Sequence, residues 1–521
     1  MPKKLGSAYF PLAGVLATLA GVGAGHLAAA LLTPASSPVL AVGSAVIDLT
    51  PTPVKEWAVR EFGTKDKPLL IGSVFLATLI LAGVAGQLAK RRLAGGAGLL
   101  VALVVVAGVA AMVRPAATLA DAVPALTSAV IGVAALTWLV RVGQQPSPAS
   151  EPPSGAQIDS DLDHDIALAP AARRRTVLAT GAVATLALAA GGAGTWIAKT
   201  RAKIGNITLA AASDPAPTFP EGLETTYPEI SPLRTPTAKF YQVDTKLAVP
   251  IVDVDSWKLS IDGDVKSPFS VTFDELAAMP LIERDITLTC VSNEVGGTYV
   301  GSARWLGVPM TALLDRAGVG SKADQLLSID VEGFKISTPL NVVRDGRDAM
   351  VAIAMNGEPL NRNHGFPARL VTPGVYGFVG ATKWLERLTL TTYAAEDAYW
   401  TERDWATDAP IKVSSRIDTP KPLSRIKPGP TVIGGVAWAQ QRGIDRVEVR
   451  IDGEAWQEAK LGPDVGVDYW RQWYLPWDAA PGRRMLAVRA TTKDGKVQTD
   501  VRVSPFPAGS SGVQEIVIIV E

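Results

Sequence analysis

Four long apolar runs near the start of the chain constrain its fold most strongly. They are Phe10–Leu32, Leu69–Leu88, Leu93–Val113 and Leu119–Val140. Each is close to the roughly 20 residues that a helix needs to cross the hydrocarbon core of a bilayer. A fifth run, Val177–Ala198, is rich in Ala and Gly and only weakly hydrophobic. Pro38–Leu49 is too short to span, so we expect it to lie in the interface or to re-enter. The sequence therefore predicts an all-α membrane domain of four plus one spans.

Basic residues in the short loops indicate an orientation. One side of the predicted spans carries Lys3, Lys4, Lys90–Arg92, Arg141 and Arg173–Arg175. That side is cytoplasmic if the N-terminus is inside. The opposite loops carry Lys55, Arg60, Lys65, Lys67 and Arg114, but acidic residues largely balance the first four. Lys199, Arg201 and Lys203 follow the fifth run and oppose this assignment. Charge alone therefore leaves open the side on which the C-terminal half lies.

The segment Ala172–Gly192, ARRRTVLATGAVATLALAAGG, carries a second indication of orientation. A twin arginine, a polar residue, a leucine and a mildly hydrophobic run resemble a twin-arginine (Tat) export signal. Alternatively, Arg173–Arg175 are the cytoplasmic flank of an ordinary span. The weak hydrophobicity favours the export interpretation. It predicts a multi-pass protein of the cell (inner) membrane, with residues 205–521 on the extracytoplasmic side.

Composition changes along the chain predict its division into segments. These are a four-span membrane domain (1–143), a cytoplasmic linker with the twin-arginine motif (144–175), a fifth span (176–199), an extracytoplasmic linker (200–239), an α+β domain (240–425) and an all-β immunoglobulin-like sandwich (426–521). The Pro- and Thr-rich stretch Ala210–Thr237 is expected to act as a spacer. The sandwich is indicated by strand-length runs separated by turn signals such as Asp452-Gly453. The aromatic cluster Tyr469–Tyr474 in that region suits either a core or a contact surface.

The chain has one cysteine, Cys290, in the stretch LTCVSNEVGG. A single thiol excludes an internal disulfide and a thiolate zinc cluster. It could be a small buried hydrophobe. The numbers of basic and acidic residues are equal, at 50 each, which gives no indication of a nucleic-acid partner. Further along, Asn361–Tyr393 is predicted to be loop-like and carries His364, Arg369 and Lys383. Such groups suit a bound anion such as a phosphate, although ordinary surface ion pairs would give the same pattern.

Three stretches in this order resemble the sulfite oxidase family of molybdopterin enzymes: LTCVSNEVGG, ARWLGVPMTALLDRAGV and HGFPARLVTPGVYGF…ATKW. The resemblance runs from about Phe240 to the C-terminus. It implies a sulfite-oxidase-type α+β domain, a molybdopterin cofactor with molybdenum, and Cys290 as the one protein ligand of the metal. A soft thiolate suits molybdenum that is already bound by dithiolene sulfurs. Asn293, Gly296 and Gly297 would let the backbone turn close to the cofactor.

The resemblance also implies cofactor contacts, residue by residue. They fall on Phe240, Tyr241, Gln242, Val243, Glu332, His364, Arg369, Ala381, Thr382 and Lys383, and for Arg369 a structural ion pair is the alternative. Two positions depart from the pattern. Gln242 stands where sulfite oxidases have an arginine that holds anionic sulfite, and Trp405 stands where they have an active-site tyrosine. Both changes make sulfite doubtful and favour a neutral S-oxide, an N-oxide or another small oxo-acceptor.

Oxygen-atom transfer moves two electrons, so the sequence predicts a redox partner. Of three histidines only His26 lies in an apolar run, and a bis-histidine haem needs two. We therefore expect no intrinsic haem, and a separate cytochrome or quinone-linked protein instead. The other predicted partners are membrane lipid, a small oxo-substrate and a second copy of the chain in a homodimer. A non-catalytic, membrane-tethered pterin-binding, sensory or structural envelope protein is the alternative function.

Overall fold

The computed structural model describes residues 8–62, 65–145, 169–201, 204–205 and 207–521. The chain forms two compact units. The helical unit comprises Met1–Lys203 together with Thr245–Ile251, and the β-rich unit comprises Ile204–Asp244 and Val252–Glu521. Lys3, Lys4 and Lys203, most of the predicted linker 144–175 and the side chain of Arg173 lie outside what the structure describes.

Within its described ranges, the helical unit consists of helices and connecting turns. The helices are α1 (Tyr9–Leu31), α2 (Pro38–Leu49), α3 (Thr52–Phe62), α4 (Asp66–Arg91), α5 (Leu93–Met112), α6 (Val123–Gln144) and α7 (Ala169–Arg201). Five helical stretches there are long and apolar enough to cross a membrane, namely Tyr9–Leu31, Asp66–Arg91, Leu93–Met112, Leu119–Gln144 and Arg174–Arg201. Their positions agree with the five apolar runs of the sequence. The short run Pro38–Leu49 is a helix of 12 residues.

Helix α1 packs closely against three other helices of this unit because it carries glycines at the contacts. A Cβ built on Gly14 would lie 2.1 Å from Ala82 O of α4, and one on Gly21 would lie 2.6 Å from Ser128 O of α6. A Cβ on Gly23 would lie 2.8 Å from Ala187 O of α7. Small residues are the usual means of close helix packing in an apolar environment, where the hydrophobic effect does not drive association.

The first part of the β-rich unit combines two sheets with three short helices. Its strands are β1 (Lys258–Gly263), β2 (Phe269–Thr272), β3 (Ile282–Thr289), β4 (Val300–Pro309), β5 (Gln325–Asp330), β6 (Lys335–Pro339), β7 (Met350–Met355), β8 (Glu358–Pro359), β9 (Arg369–Val371) and β10 (Leu385–Thr391). The helices are α8 (Phe273–Ala277), α9 (Met310–Ala317) and α10 (Gly377–Gly380). One sheet has the order β2-β1-β10-β5-β6, and the other has the order β3-β4-β7-β8 with β9 paired to β7. The predicted strands at 257–263 and 285–290 and the helix at 309–317 are present with small shifts at their ends.

The alternating burial of these strands follows from the sequence. In β1, Leu259 and Ile261 are buried while their neighbours are not. They share one core with Leu313 of α9, Leu326 of β5 and Val351 of β7. Because that core joins both sheets, it fixes the β3–β4 hairpin and the β7–β9 pair against β1, β5 and β10. Those two features carry the residues discussed below.

The last part of the β-rich unit has two facing sheets. Its strands are β11 (Ser414–Thr419), β12 (Arg425–Ile426), β13 (Gly429–Trp438), β14 (Ile444–Ile451), β15 (Gln457–Glu458), β16 (Lys460–Leu461), β17 (Arg471–Ala479), β18 (Gly482–Thr492) and β19 (Gln514–Val520). The orders are β11-β13-β17-β16 and β12-β19-β18-β14-β15, and residues of both sheets share a core. The sheet that contains β11 begins before residue 426. Tyr469, Trp470 and Trp473 are buried, so these aromatic residues belong to the core.

The expectation that Ala210–Thr237 is a spacer is wrong. Ile230 and Leu233 are buried in the β-rich unit. Trp470 Nε1 donates to Leu233 O at 2.7 Å, and Ser231 N–H donates to Asp418 Oδ2 at 2.9 Å. The many prolines and threonines prevent regular secondary structure here, but the few large apolar residues still gain by burial. The segment is therefore part of the folded unit.

Candidate active site

Cys290 begins the loop that connects β3 to β4, directly after the last residue of β3. The last paired residues of the two strands are Thr289 and Val300. Cys290 N–H then donates to Tyr299 O at 2.9 Å, which extends the pairing by one residue. Cys290 is only 8% exposed. The thiol is therefore held at the base of the connecting loop, where the pairing of the two strands fixes its backbone.

The loop that follows Cys290 turns in the way that its Asn and Gly residues predict. Asn293 Oδ1 accepts from Tyr299 N–H at 2.8 Å and spans the loop. Gly296 has φ +80°, a conformation that residues with a Cβ rarely adopt. A Cβ on Gly297 would lie 2.6 Å from Asn293 Oδ1. These residues bring the backbone back close to the thiol.

The charge state of the Cys290 thiol depends on its surroundings. Burial raises its pKa, while the N–H and hydroxyl of Ser292 and the ammonium of Lys383 oppose that rise. With a raised pKa the thiol carries its proton at neutral pH in the cofactor-free protein. A metal ion would displace that proton, because only the thiolate is a metal ligand.

Arg369 places a buried cation in the same region. It begins β9, paired to Ala352 of β7, and not in a loop as the sequence suggested. The residue is 5% exposed, and burial lowers its pKa to about 10, so it stays charged at neutral pH. Its Nη1 donates to His364 O at 3.2 Å and its Nη2 to Ala381 O at 3.3 Å. Its buried Nε has no hydrogen-bond partner among the described residues.

A buried guanidinium with an unsatisfied N–H is costly unless an acceptor completes it. The contacts described for Arg369 are to neutral carbonyls and to the ring of Trp305, whose centroid lies 5.1 Å from the Arg369 Cζ. The arrangement therefore fits an anionic or strongly accepting ligand better than a structural ion pair.

His364 is neutral and its tautomer is defined. The residue is 2% exposed, and burial lowers its pKa to about 4, with Arg369 and Lys383 acting in the same direction. Its Nε2 lies 2.9 Å from Thr237 O. A carbonyl oxygen can only accept, so Nε2 carries the proton and Nδ1 is left as an acceptor.

We predict that His364 stays neutral in the cofactor-free protein when the pH falls from about 7 to about 5, whereas an ordinary histidine is half protonated near 6.5. Because the folded pKa is depressed, the unfolded chain takes up its proton first, and stability is lost as the pH falls below about 6.5. The chain has three histidines, so isotope-labelled histidine gives few NMR signals, and His364→Asn assigns the one concerned. A His364 signal that titrates near the ordinary value would contradict this prediction.

Aromatic side chains line the space between the thiol and the buried cation. Phe240 and Tyr241 stack with ring centroids 5.2 Å apart, and Phe240 contacts the His364 ring edge-on at 5.6 Å. Burial and the negative charge of a Cys290 thiolate raise the pKa of Tyr241, and Arg369 opposes them. Tyr241 therefore lies within electrostatic range of both groups, and its phenol is a neutral donor at neutral pH.

The strip Ala381–Lys383 lies beside His364 and Arg369. Thr382 O accepts from Leu370 N–H at 2.8 Å, and Thr382 Oγ1 lies 2.5 Å from Ser328 Oγ. Lys383 Nζ donates to Asp244 Oδ2 at 2.6 Å. Glu332 is in the turn between β5 and β6, where Val331 N–H donates to Trp384 O. That bond connects the turn to the strip, while the role of Glu332 stays a prediction.

The two residues at which the sequence departs from the family lie in different environments. Gln242 is exposed, as is its neighbour Val243. Trp405 is 7% exposed and packs against Phe378, Trp400 and Phe506, with ring centroids 5.2 to 5.7 Å apart. Its Nε1 is a buried donor that no described residue accepts from.

Sequence reasoning missed three residues near the thiol. Ser292 directs its N–H and hydroxyl at Cys290. Burial, together with the charge of a Cys290 thiolate, raises the pKa of Tyr376 to about 12, so this phenol lies within electrostatic range of the thiol. Asp244 pairs with Lys383. Ser292 was readable as the second residue after the cysteine, whereas Tyr376 and Asp244 are brought in only by the fold.

Part of the chain is similar to known proteins. Residues 246–400 match the model of the oxidoreductase molybdopterin binding domain. The chain is 30% identical over 323 residues to the mitochondrial sulfite oxidase of Rattus norvegicus, which covers 52% of this chain and 58% of that protein. It is 28% identical over 319 residues to the NADH nitrate reductase of Solanum lycopersicum, covering 48% of this chain and 35% of that protein. A structure of the sulfane dehydrogenase SoxCD from Paracoccus pantotrophus is 25% identical with a TM-score of 0.49, over 55% of this chain and 83% of that chain.

This chain spans less than two thirds of the length of either curated relative. The matched domain contains Cys290, His364, Arg369 and Lys383. It confirms the prediction of a molybdopterin cofactor with molybdenum. The residues present fit that cofactor, because a lone thiol and a buried cation with an unpartnered N–H offer one soft metal ligand and one anion contact.

Proposed function

Because the chain belongs to the sulfite oxidase family of molybdopterin oxidoreductases, we propose that it transfers an oxygen atom to or from a small substrate at a molybdenum ion ligated by Cys290. The observation that carries this proposal is the convergence of the buried thiol and the buried Arg369 guanidinium on Tyr241. When bound, the cofactor supplies the two-electron oxygen-atom exchange itself. In the reducing direction, a substrate oxide, two electrons and two protons give the deoxygenated substrate and water.

The protein residues bind, orient and exclude water. Cys290 would donate its thiolate to the metal, with Ser292 and the hairpin fixing the sulfur. Arg369 would donate to the phosphate, the acceptor Nδ1 of His364 would accept from an N–H of the pterin, and Phe240, Tyr241 and the strip Ala381–Lys383 would complete that surface. Because these groups are largely buried, charge interactions between them and a ligand are stronger than in water.

Trp405 supports a reducing activity on an oxide. It offers an indole N–H, which can donate a hydrogen bond but cannot accept one. It packs in one cluster with Tyr376 and with Val291, the neighbour of Cys290. A buried donor without a partner suits the oxygen atom of an S-oxide or N-oxide, and in that role it would replace the hydroxyl of the tyrosine in sulfite oxidases.

The test of this function is a substrate screen of the loaded, full-length protein in detergent. Reduced viologen dyes would supply electrons to dimethyl sulfoxide and trimethylamine N-oxide, and an oxidising dye would accept electrons from sulfite. We expect dye-dependent turnover of at least one oxide. Molybdenum-loaded protein that turns over none of these compounds would contradict the proposal.

The five long apolar helices support membrane anchoring. We infer that the β-rich unit lies on the extracytoplasmic side, exported by the twin-arginine signal around Arg174 and Arg175. We also infer that the two facing sheets β11–β19 are an immunoglobulin-like sandwich through which two copies dimerise. A separate cytochrome or quinone-linked protein would exchange electrons with the site.

We predict that replacing Arg173, Arg174 and Arg175 together by lysine leaves residues 205–521 protected from protease added outside the cell. Lysine keeps the flanking charge, so an ordinary span would still insert, whereas a twin-arginine signal requires the arginines. Protease treatment of spheroplasts followed by immunoblotting measures the outcome. The matched control exchanges lysine and arginine in the other basic cluster: Lys90→Arg together with Arg91→Lys and Arg92→Lys. Unchanged digestion of the triple-lysine variant would refute the export signal.

A further inference from the structure

Asp244 and Lys383 form an ion pair that is mostly buried. Lys383 Nζ donates to Asp244 Oδ2 at 2.6 Å, and the two side chains are 10% and 17% exposed. The ammonium also donates to Asn363 O at 3.2 Å and lies 4.5 Å from the centroid of the Trp384 ring. These contacts fix the ammonium and place a carboxylate on it.

The pair stands next to the groups assigned to the cofactor. A Cβ on Gly365, which has φ +106°, would lie 3.0 Å from Lys383 Cα and 3.2 Å from Arg369 Cβ. The two cationic residues thus flank a single glycine. Lys383 also acts on the Cys290 thiol, since its charge partly opposes the rise in pKa that burial causes. Asp244 comes two residues after Gln242 in the same segment.

The charges of Arg369, His364, Gln242 and Lys383 indicate how much positive charge these four residues offer a substrate. Arg369 is charged, but the proposed function assigns it to the cofactor. His364 is neutral above a pH of about 4. Gln242 carries no charge, and the ammonium of Lys383 is matched by the carboxylate of Asp244. From these four residues a substrate dianion would therefore gain little attraction, and the Asp244 carboxylate would repel it.

We propose that Asp244 is a specificity-determining residue, which neutralises Lys383 and thereby selects uncharged oxides, such as sulfoxides and N-oxides, over sulfite-like dianions. This inference rests on the proposed function and names its substrate class. A like charge placed against the wrong ligand is a common way to obtain selectivity, since it costs the intended neutral ligand nothing.

The test uses sulfate as a dianionic probe that needs no turnover. Calorimetric titration of the oxidised, molybdenum-loaded, full-length protein at low ionic strength gives its dissociation constant. Asp244→Asn is expected to bind sulfate at least about tenfold more tightly than the wild type, because it removes a carboxylate from a largely buried ammonium. In the same variant, the KM for dimethyl sulfoxide is expected to change less than roughly threefold, because an uncharged substrate interacts only weakly with the carboxylate that is removed.

Four further variants make the result specific. Asp244→Glu keeps the carboxylate and is expected to bind sulfate as weakly as the wild type. The double variant Asp244→Asn, Lys383→Met should lose the gain in sulfate affinity that Asp244→Asn gives. That result would show that the gain depends on the Lys383 ammonium. Glu396→Gln breaks the Lys335–Glu396 ion pair elsewhere in the unit and should leave sulfate binding unchanged. Asp244→Ser is a second neutral variant in case the asparagine protein does not accumulate.

Unchanged sulfate affinity in the neutral Asp244 variants would overturn the inference, as would an equal gain in Glu396→Gln. Sulfate affinities are compared per molybdenum-loaded chain, so a change in loading cannot imitate the effect. A wild-type protein that turns over no oxide would instead contradict the proposed function. The sulfate titration would still decide the role of Asp244.

Discussion

Cys290→Ser is expected to lower kcat by more than the roughly 100-fold that loss of an outer-shell partner of a metal ligand can cost. A serine hydroxyl is a much weaker acid than a thiol, and its oxygen is a harder ligand than sulfur. It would therefore neither match a soft metal site nor donate comparable charge to it. The variant keeps the approximate size of the side chain and the hydrogen bond from the backbone N–H of residue 290 to Tyr299 O. Dye-linked turnover per chain measures the effect, whether or not the cofactor is retained.

Ser292→Ala is the matched control for that substitution. It removes a hydroxyl that stabilises the sulfur but leaves the thiol in place, so we expect a loss of at most roughly 10- to 100-fold. A Cys290→Ser protein with wild-type turnover would refute the assignment of Cys290 as the metal ligand. Equal losses in both variants would also contradict it, since only one of them removes the sulfur.

Arg369→Met is expected to reduce retention of the cofactor roughly 10- to 100-fold, because each hydrogen bond between a charged group and an anion contributes about 1.5–3 kcal/mol. Molybdenum and pterin per chain after dialysis measure the loss. Methionine fills much of the volume, and removing a buried cation that lacks an anionic partner is not expected to destabilise the cofactor-free protein. Thermal unfolding of that protein would therefore stay at or above the wild-type midpoint.

Arg387→Met is the control for Arg369→Met. Arg387 pairs with Asp262 in the same unit, and both of these side chains are substantially exposed. Exposed ion pairs contribute little to the stability of the folded protein, so this variant should retain the cofactor fully. Full cofactor retention in Arg369→Met would show that the buried guanidinium is a structural element and not an anion contact.

The sequence was most informative where a local pattern decides the structure. The five long apolar helices follow from the length of the apolar runs, each of which approaches the roughly 20 residues that a helix needs to cross a bilayer. The β1 strand follows from alternation, and the turn after Cys290 follows from Asn293, Gly296 and Gly297. In each case the signal lies within a few consecutive residues.

The sequence was least informative where distant segments meet. Asp244 and Lys383 are 139 residues apart, and nothing in either stretch indicates that they pair. Tyr376 approaches Cys290 only because the sheets bring β9 and its following turn to the β3–β4 hairpin. The segment 210–237 has the composition of a spacer, but Ile230 and Leu233 are enough to bury it. Tertiary burial overrides local composition in that case.

The most direct test of the account is elemental analysis of the detergent-purified full-length protein for molybdenum and tungsten. We expect close to one molybdenum per chain, and a much lower content in Arg369→Met purified alongside. Absence of both metals, from a host that makes the cofactor, would contradict the assignment of Cys290 and Arg369 and would favour a membrane-tethered protein without redox chemistry.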